Sequence, residues 1–188
     1  MSNHLPDLKH LINQVALYDD QNAYQKLFKI LYPSLYRFSF FLLKSKVLAE
    51  EVTSDVMIAL WRNRLKLLQV DNIKVYAFVI ARNFSLNELN KTSRYEIVSI
   101  DAIEVDVFLD SLTPEQIYIN DELRKKIEMA IQLLPNRCKL VFKLIKEEGM
   151  SYKETATILN ISAKTVDAQL VIAIKKLTCI LKAEFNLI

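Results

Sequence analysis

A single glycine, Gly149, occurs in this chain of 188 residues, beside four prolines. Sheet proteins with several hairpins need more glycine than this, because their tight turns require positive φ angles. Hydrophobic residues make up 52% of the chain, which is enough to build a core. The sequence therefore predicts an all-α fold in which helices are joined by short polar loops.

Charged residues divide the chain into three blocks. Residues 1–94 carry 13 basic and 8 acidic side chains, residues 95–118 carry 6 acidic and no basic ones, and residues 119–188 carry 12 basic and 8 acidic ones. Two basic blocks around an acidic tether fit two polyanion-binding domains with a linker, and ordinary solvated charge explains the distribution equally well. The length suits two small domains, which we place at residues 1–94 and 113–188, with the linker at 95–112.

Hydrophobic spacing, caps and prolines predict four helices in the first domain. We expect them at about residues 6–18, 21–44, 47–68 and 73–91, with Asp71 or Asn72 as the cap of the last one. Pro33 is expected to interrupt or kink the second helix. Residues 92–112 lack helical periodicity, and we expect helix to resume near Thr113 and to run to Leu134.

The segment from Gly149 to Leu177 has the spacing of a helix-turn-helix. Ser151 and Glu154 stand three residues apart, as in a capping box, and Ser162 is placed to cap a longer second helix after a turn near Asn160. The apolar side of that second helix, which we expect to pack on the first, consists of Val166, Leu170, Ala173 and Leu177. Such a pair places its second helix in the major groove of DNA, and a plain corner between two helices of a bundle is the alternative.

Six segments of the chain resemble the extracytoplasmic-function sigma factors of bacterial RNA polymerase, in the order found in that family. The segments similar to region 2 are KLFKILYPSLYRFSFFLL, AEEVTSDVMIALWRNR and VYAFVIARNFSLNELNKTSR. Those similar to region 4 are QLLPNRCKLVFKL, EEGMSYKETATILNIS and AKTVDAQLVIAIKKL. The resemblance covers about residues 20–185. It implies a four-helix region 2 and a helix-turn-helix region 4, joined by the acidic linker.

The resemblance also implies a function and a set of partners. The chain would be an alternative sigma factor that binds core RNA polymerase, at its β′ clamp and β flap, and directs promoter-specific initiation. An anti-sigma factor would control it. No catalytic activity, cofactor, metal or small-molecule substrate is implied.

Two groups of residues are implied in the first domain. Those expected to bind core polymerase are Glu50, Glu51, Asp55, Trp61 and Arg62, with most of the Trp61 ring packed in the core. Those expected to bind the melted minus-ten element are Asn83, Asn87, Lys91 and Arg94. An amide pairs with a base edge, and cations lie along the phosphates of a single strand.

The family resemblance implies that the helix-turn-helix binds the minus-thirty-five element. The residues in question are Ser162, Lys164, Thr165, Asp167, Ala168, Val171, Ile172 and Lys175. Family members commonly carry basic or polar groups at several of these positions, whereas the centre here is apolar and acidic. Apolar side chains are able to read thymine methyl groups, and they equally suit a contact with another protein. Both interpretations stay open at this point.

Other function classes account for parts of the sequence only. His4 and His10 are the only histidines and no glycine-rich phosphate loop is present, which argues against an enzyme or a metal site. A helix-turn-helix regulator acting without polymerase explains residues 135–185 but gives the first domain no role, and a protein-interaction module is suggested by the apolar face alone. Two cysteines, Cys138 and Cys179, without a secretory leader or a long apolar run, predict a soluble protein of the reducing cytoplasm.

Overall fold

Helices account for all regular structure in the part of the chain that the computed structural model describes, residues 8–92 and 121–184. The first four are α1 (Leu8–Tyr18), α2 (Gln21–Leu43), α3 (Lys46–Arg62) and α4 (Ile73–Thr92). The others are α5 (Asp121–Gln132), α6 (Asn136–Phe142), α7 (Tyr152–Leu159) and α8 (Ala163–Glu184). A 3-10 turn at Arg64–Gln69 follows α3, and a π-helical turn at Lys143–Glu147 extends α6. The all-α prediction is confirmed.

Helix α2 forms the centre of the first unit, where it packs against α1, α3 and α4. Leu27, Leu31 and Leu35 lie one turn apart on α2 and are at most 1% exposed. Phe38 meets Phe78 of α4 edge to face, with ring centroids 5.0 Å apart. Each buried side chain of this size stabilises the fold by about 1.5–3 kcal/mol. Helix α2 therefore holds α3 and α4, which carry the predicted site residues of the first domain, in one bundle.

Helix α2 begins where the sequence predicts, but it is not interrupted at Pro33. Asp20 caps the helix by accepting hydrogen bonds from the backbone N–H groups of Asn22 and Ala23, at 2.8 and 3.1 Å. Of the two effects expected at Pro33, an interruption or a kink, the interruption is wrong, because α2 runs unbroken from Gln21 to Leu43. Pro33 is exposed, and the buried leucines on both sides of it, Leu31 and Leu35, hold the two halves of the helix on one core.

Helix α3 ends six residues before the expected Leu68. Asn63 follows its last residue, and the Asn63 side-chain amide donates to the carbonyl of Ala59 at 2.9 Å. The chain then turns as a 3-10 segment, in which Leu67 is 1% exposed. Arg64 pairs with Asp19, which precedes α2. Both residues lie in the segment where the chain has left the α-helix, and local spacing cannot reveal their distant partners.

Helix α8 packs against α5 and α6 in the second unit. One core cluster joins the three helices, and its buried members are Ala130, Ile131, Leu134, Cys138, Ala173 and Leu177. This corrects the expectation that Ala173 and Leu177 pack on the first helix of the helix-turn-helix. Helix α7 has 8 residues and spans about 12 Å, whereas α8 has 22 residues and extends well beyond it.

A buried lysine joins α5 to α6, which the sequence did not predict. Lys139 is 1% exposed, and its Nζ donates to the backbone carbonyl and to Oε1 of Gln132 at 2.7 and 3.2 Å. A buried cation needs such partners, because it loses its hydration.

Several predictions concern residues outside the described ranges. They are the acidic linker at 95–112, the domain boundaries beside it, the helix start at Thr113 and the position of Arg94. Among residues 8–92 and 121–184, no single helix is long and apolar enough to cross a membrane. Helices α7 and α8 meet that criterion only as a pair bent by 105°.

Candidate nucleic-acid and polymerase interfaces

Helix α3 presents an acidic face on the side opposite its buried residues. Glu50, Glu51 and Asp55 are all exposed, as predicted for side chains that meet a partner. The opposite side of α3 packs into the core, where Val52 is 2% exposed and Leu60 is fully buried. Burial of that side fixes the orientation of the three carboxylates, because positions three and four apart share one helix face.

Two apolar side chains flank the acidic face, and the sequence analysis missed them. Val47 is 72% exposed and Ile58 is 45% exposed. Both lie on the side of α3 that carries Glu51 and Asp55, since residues 47, 51, 55 and 58 follow helical spacing. This spacing is the signal that would have found them. The face therefore offers charge at its centre and apolar contact at both ends.

Trp61 lies against the core of the first unit, as expected for most of its ring. It meets Tyr24 edge to face at 4.9 Å and packs on a cluster that includes Leu11 and Val15. Arg64 covers the ring, with its guanidinium 5.1 Å from the centroid. Arg62 is exposed at the end of α3. Of these two predicted polymerase contacts, Arg62 offers the more accessible side chain.

Helix α4 carries an amide face on the side away from the bundle. Asn72 caps the helix by accepting from the N–H groups of Lys74 and Val75 at 3.0 and 3.3 Å, so the second of the two predicted caps is confirmed. Asn83 and Asn87 are both exposed. Their spacing of four residues places them one turn apart on one side.

Lys91 lies closer to α3 than the sequence analysis expected. Its Nζ donates to Glu88 of the same helix. That hydrogen bond is the main reason why the pKa of Lys91 is raised above its usual value, and the charges of Glu51 and Asp55 raise it further. Those two carboxylates belong to α3, so the negative charge of the acidic face acts on Lys91.

A groove between α3 and α4 brings together two groups that the sequence analysis kept apart. Its volume is about 710 Å³, and its lining residues are Val52, Asp55, Phe84, Asn87, Glu88, Asn90 and Lys91. Asp55 comes from the predicted polymerase group, whereas Asn87 and Lys91 come from the predicted minus-ten group. The two groups therefore share a groove, to which Val52 and Phe84 add apolar side chains.

The helix-turn-helix has the caps that its sequence predicts. Ser151 Oγ accepts from the N–H of Glu154 at 3.2 Å, and Glu154 Oε2 accepts from the N–H of Ser151 at 2.8 Å, which is a complete capping box. Helix α7 ends with Asn160 in the left-handed region, at φ 55°. The following N–H, of Ile161, donates back to the carbonyl of Ala156 at 3.1 Å, as in a Schellman turn.

Ser162 caps α8, and the outer face of that helix is open. Ser162 Oγ accepts from the N–H of Thr165 at 3.0 Å, and the two hydroxyl groups lie 2.8 Å apart. Every residue proposed for the minus-thirty-five element is exposed, namely Ser162, Lys164, Thr165, Asp167, Ala168, Val171, Ile172 and Lys175. Val166 and Leu170, on the opposite side, are 0% and 3% exposed. The predicted outer and inner sides of α8 are thus the observed ones.

A side-chain hydrogen bond that the sequence analysis missed holds α8 to α6. The Cys138 thiol donates to Gln169 Oε1 at 3.0 Å. Burial raises the pKa of this thiol. Cys138 is 3% exposed, so the contact lies at the edge of the core of the second unit.

Comparisons with known proteins agree with this organisation. The family model described as Sigma-70 region 2 matches residues 27–95, and the one described as Sigma-70, region 4 matches residues 124–177. No curated protein matches the sequence significantly.

Solved structures share the fold. RpoE of Bartonella quintana, in complex with the anti-sigma factor NepR, is similar with a TM-score of 0.59 and 22% identity, over 84% of this chain and 96% of that one. CnrH, in complex with the cytosolic domain of CnrY, is similar with a TM-score of 0.59 and 19% identity, over 94% of this chain and 99% of that one. The chain therefore belongs to the sigma-70 family of transcription initiation factors and carries regions 2 and 4, as an extracytoplasmic-function sigma factor does.

Proposed function

We propose that this sigma factor recognises promoters at two points while it is bound to core RNA polymerase, and that the polymerase supplies all the catalysis. The observation that carries the proposal is the presence of regions 2 and 4 in one chain, each with an exposed face suited to its target. Region 2 offers the acidic face of α3 and the amide face of α4. Region 4 offers the outer face of α8.

The acidic face of α3 is proposed to dock on the β′ clamp of the polymerase. Glu50, Glu51 and Asp55 suit basic residues of that partner, and Val47 and Ile58 add apolar area that a surface of charges alone lacks. Charge complementarity of this kind speeds encounter and excludes wrong partners. Arg62 extends the contact from the end of α3, while Trp61 keeps the helix in place from the core side.

The amide face of α4 is proposed to hold the melted minus-ten strand. Asn83 has the donor and acceptor that are needed to pair with the edge of an unstacked base. Asn87 and Lys91 continue toward the phosphate backbone, and Arg94, outside the described residues, is retained on the sequence resemblance. The pair of Lys91 with Glu88 is exposed on the lysine side, and exposed ion pairs contribute little to stability, so a phosphate is able to replace Glu88 as the partner of Lys91.

The outer face of α8 is proposed to bind the minus-thirty-five element as duplex DNA, with region 4 held on the β flap. Lys164 and Lys175 suit phosphates, and the hydroxyl groups of Ser162 and Thr165 lie at the start of the helix. The acidic segment at 95–112 is proposed to thread between the two regions through the basic cleft of the polymerase.

An anti-sigma factor is proposed to hold the protein inactive in the cytoplasm until a signal releases it. RpoE of Bartonella quintana is bound by such a factor in its solved complex. A protein that covered the acidic face of α3 would block the polymerase directly, because the polymerase is proposed to dock on the same carboxylates.

The test is co-purification of the full chain with core bacterial RNA polymerase, followed by transcription from a promoter library. We expect a stable complex and initiation at a selected set of promoters. Reversing two charges with Glu51→Lys and Asp55→Lys is expected to weaken core binding at least tenfold, whereas Asp71→Lys, an exposed carboxylate outside α3, is expected to leave it unchanged. Duplex binding without core binding would instead support a regulator that acts without polymerase.

A further inference from the structure

The outer face of α8 is apolar at its centre and basic at its ends, and the exposed carboxylate of Asp167 lies at its flank. Ala168, Val171 and Ile172 occupy the centre, and Val171 and Ile172 are 43% and 41% exposed. Lys164 and Lys175 are exposed on the same side. At 100° per residue, all five positions fall on the half of the helix that faces away from the buried side.

The spacing of the two lysines suits a DNA duplex. Lys175 follows Lys164 by eleven positions, which corresponds to about 16 Å along the axis of α8. The major groove is about 12 Å wide, and the phosphates lie along both of its edges. A helix in the groove would therefore bring its two lysines toward the phosphate strands and its centre toward the base edges.

The apolar side chains at the centre of the outer face of α8 suit an apolar feature of the bases. Ala168, Val171 and Ile172 have no hydrogen-bonding groups, so they cannot pair with the donors and acceptors of the bases. The C5-methyl group of thymine is the apolar feature that the major groove displays. Contact between these side chains and a thymine methyl removes apolar surface from water on both partners.

A protein partner is a poorer match to the same face. A stable protein interface buries about 800 Å² on each side and is depleted of lysine. Here three short side chains stand between two lysines, and Ser162 and Thr165 add polar groups at the start of the helix. The charge pattern thus favours a polyanion with an apolar feature at its centre.

We propose that α8 reads thymine methyl groups in the upstream promoter element, with Ala168, Val171 and Ile172 as the residues that determine specificity. The proposal rests on the proposed function, since it names what the minus-thirty-five surface recognises. The face then specifies bases by methyl contact, while the flanking lysines supply affinity that is independent of sequence.

The test compares thymine with deoxyuridine, which differs only in lacking the methyl group. The full chain bound to core polymerase first selects its upstream element from a randomised promoter library. Each thymine of the selected element is then replaced by deoxyuridine, and binding and initiation are measured. We expect the affinity to fall about fourfold for each contacted methyl. Deoxyuridine in the spacer between the two promoter elements is the matched control and is expected to have no effect.

Two variants with the same chemical change assign the effect to the outer face. Ile172→Asn places an amide at the centre, whereas Ile174→Asn does so at an isoleucine that is 45% exposed but lies about 160° away around the helix. We expect Ile172→Asn to abolish the sensitivity to deoxyuridine at one position and to favour adenine there, because asparagine pairs with adenine. Ile174→Asn is expected to keep both the sensitivity and the original promoter set.

The outcomes distinguish a failure of methyl reading by α8 from a failure of the proposed function. If the complex with core polymerase initiates selectively and deoxyuridine changes nothing, methyl reading is wrong and the proposed function stands. If Ile172→Asn also leaves promoter choice intact, the face serves a protein contact and the inference is overturned. If no complex with core polymerase forms, the proposed function itself fails.

Discussion

Cys138 on α6 donates a hydrogen bond to Gln169 on α8, across 3.0 Å from Sγ to Oε1. This bond joins α8 to α6, at the edge of the core cluster formed by α5, α6 and α8. The second cysteine, Cys179, is exposed on α8. The two thiols of the chain thus have different environments, and this difference is measurable.

We expect Cys179 to react with a thiol reagent while Cys138 stays protected. Cys138 is 3% exposed and its pKa is raised by burial, so it offers little thiolate at neutral pH. A chromogenic disulfide should titrate one thiol rapidly in the native protein and the second only in denaturant. Cys179→Ser should remove the rapid phase alone. Two equally rapid thiols would contradict the buried position of Cys138.

Asn160 should tolerate glycine and reject a β-branched residue. It adopts a φ of 55° at the turn between α7 and α8, where a left-handed backbone is strained for most L-residues. We expect Asn160→Gly to change the free energy of unfolding by a few tenths of a kcal/mol and Asn160→Val to lower it by about 1–2 kcal/mol. Urea unfolding followed by circular dichroism measures both. Equal stability of the two variants would show that the turn does not depend on this conformation.

Asp19 should make the stability of region 2 depend on acid pH. The hydrogen bond from Arg64 holds the pKa of Asp19 below its ordinary value of 3.8. A carboxyl group with a depressed pKa in the folded state stabilises the fold above that ordinary value, and its contribution disappears as the pH falls through the folded pKa. Asp19→Asn keeps a side chain that accepts the local φ of 53°. We expect the variant to be less stable than the parent near pH 7 and equally stable in acid, by urea midpoints across that range. A constant difference at all pH values would exclude the ion pair as its cause.

Asn83→Ala should impair promoter opening more than promoter binding. If Asn83 pairs with an unstacked base, its amide matters only once the strand has melted. We expect a larger loss in open-complex formation, followed by permanganate reactivity of the melted thymines, than in binding of the closed duplex. Equal losses in both assays would remove Asn83 from the proposed minus-ten site.

The local features of this chain were predictable because their partners lie within four residues. The capping box of Ser151 and Glu154, the Asn72 cap of α4 and the Ser162 cap of α8 were all predicted from spacing and are confirmed. The outer face of α8 followed from helical periodicity in the same way. The family resemblance, based on motif order, also predicted both sigma-70 regions correctly.

Only the tertiary structure determined the features whose partners are distant in sequence. Helix α3 ends at Arg62, and the 3-10 segment after it carries Arg64, which pairs with Asp19, and the buried Leu67, whereas periodicity alone continued the helix to Leu68. Lys91 and Asp55 line one groove because α3 and α4 pack side by side. Such contacts depend on which helices become neighbours, and the pattern within one helix contains no information about its neighbour. The sequence by itself therefore determined where most helices begin and which sides are apolar, while packing decided where α3 stops and which charged groups share a groove.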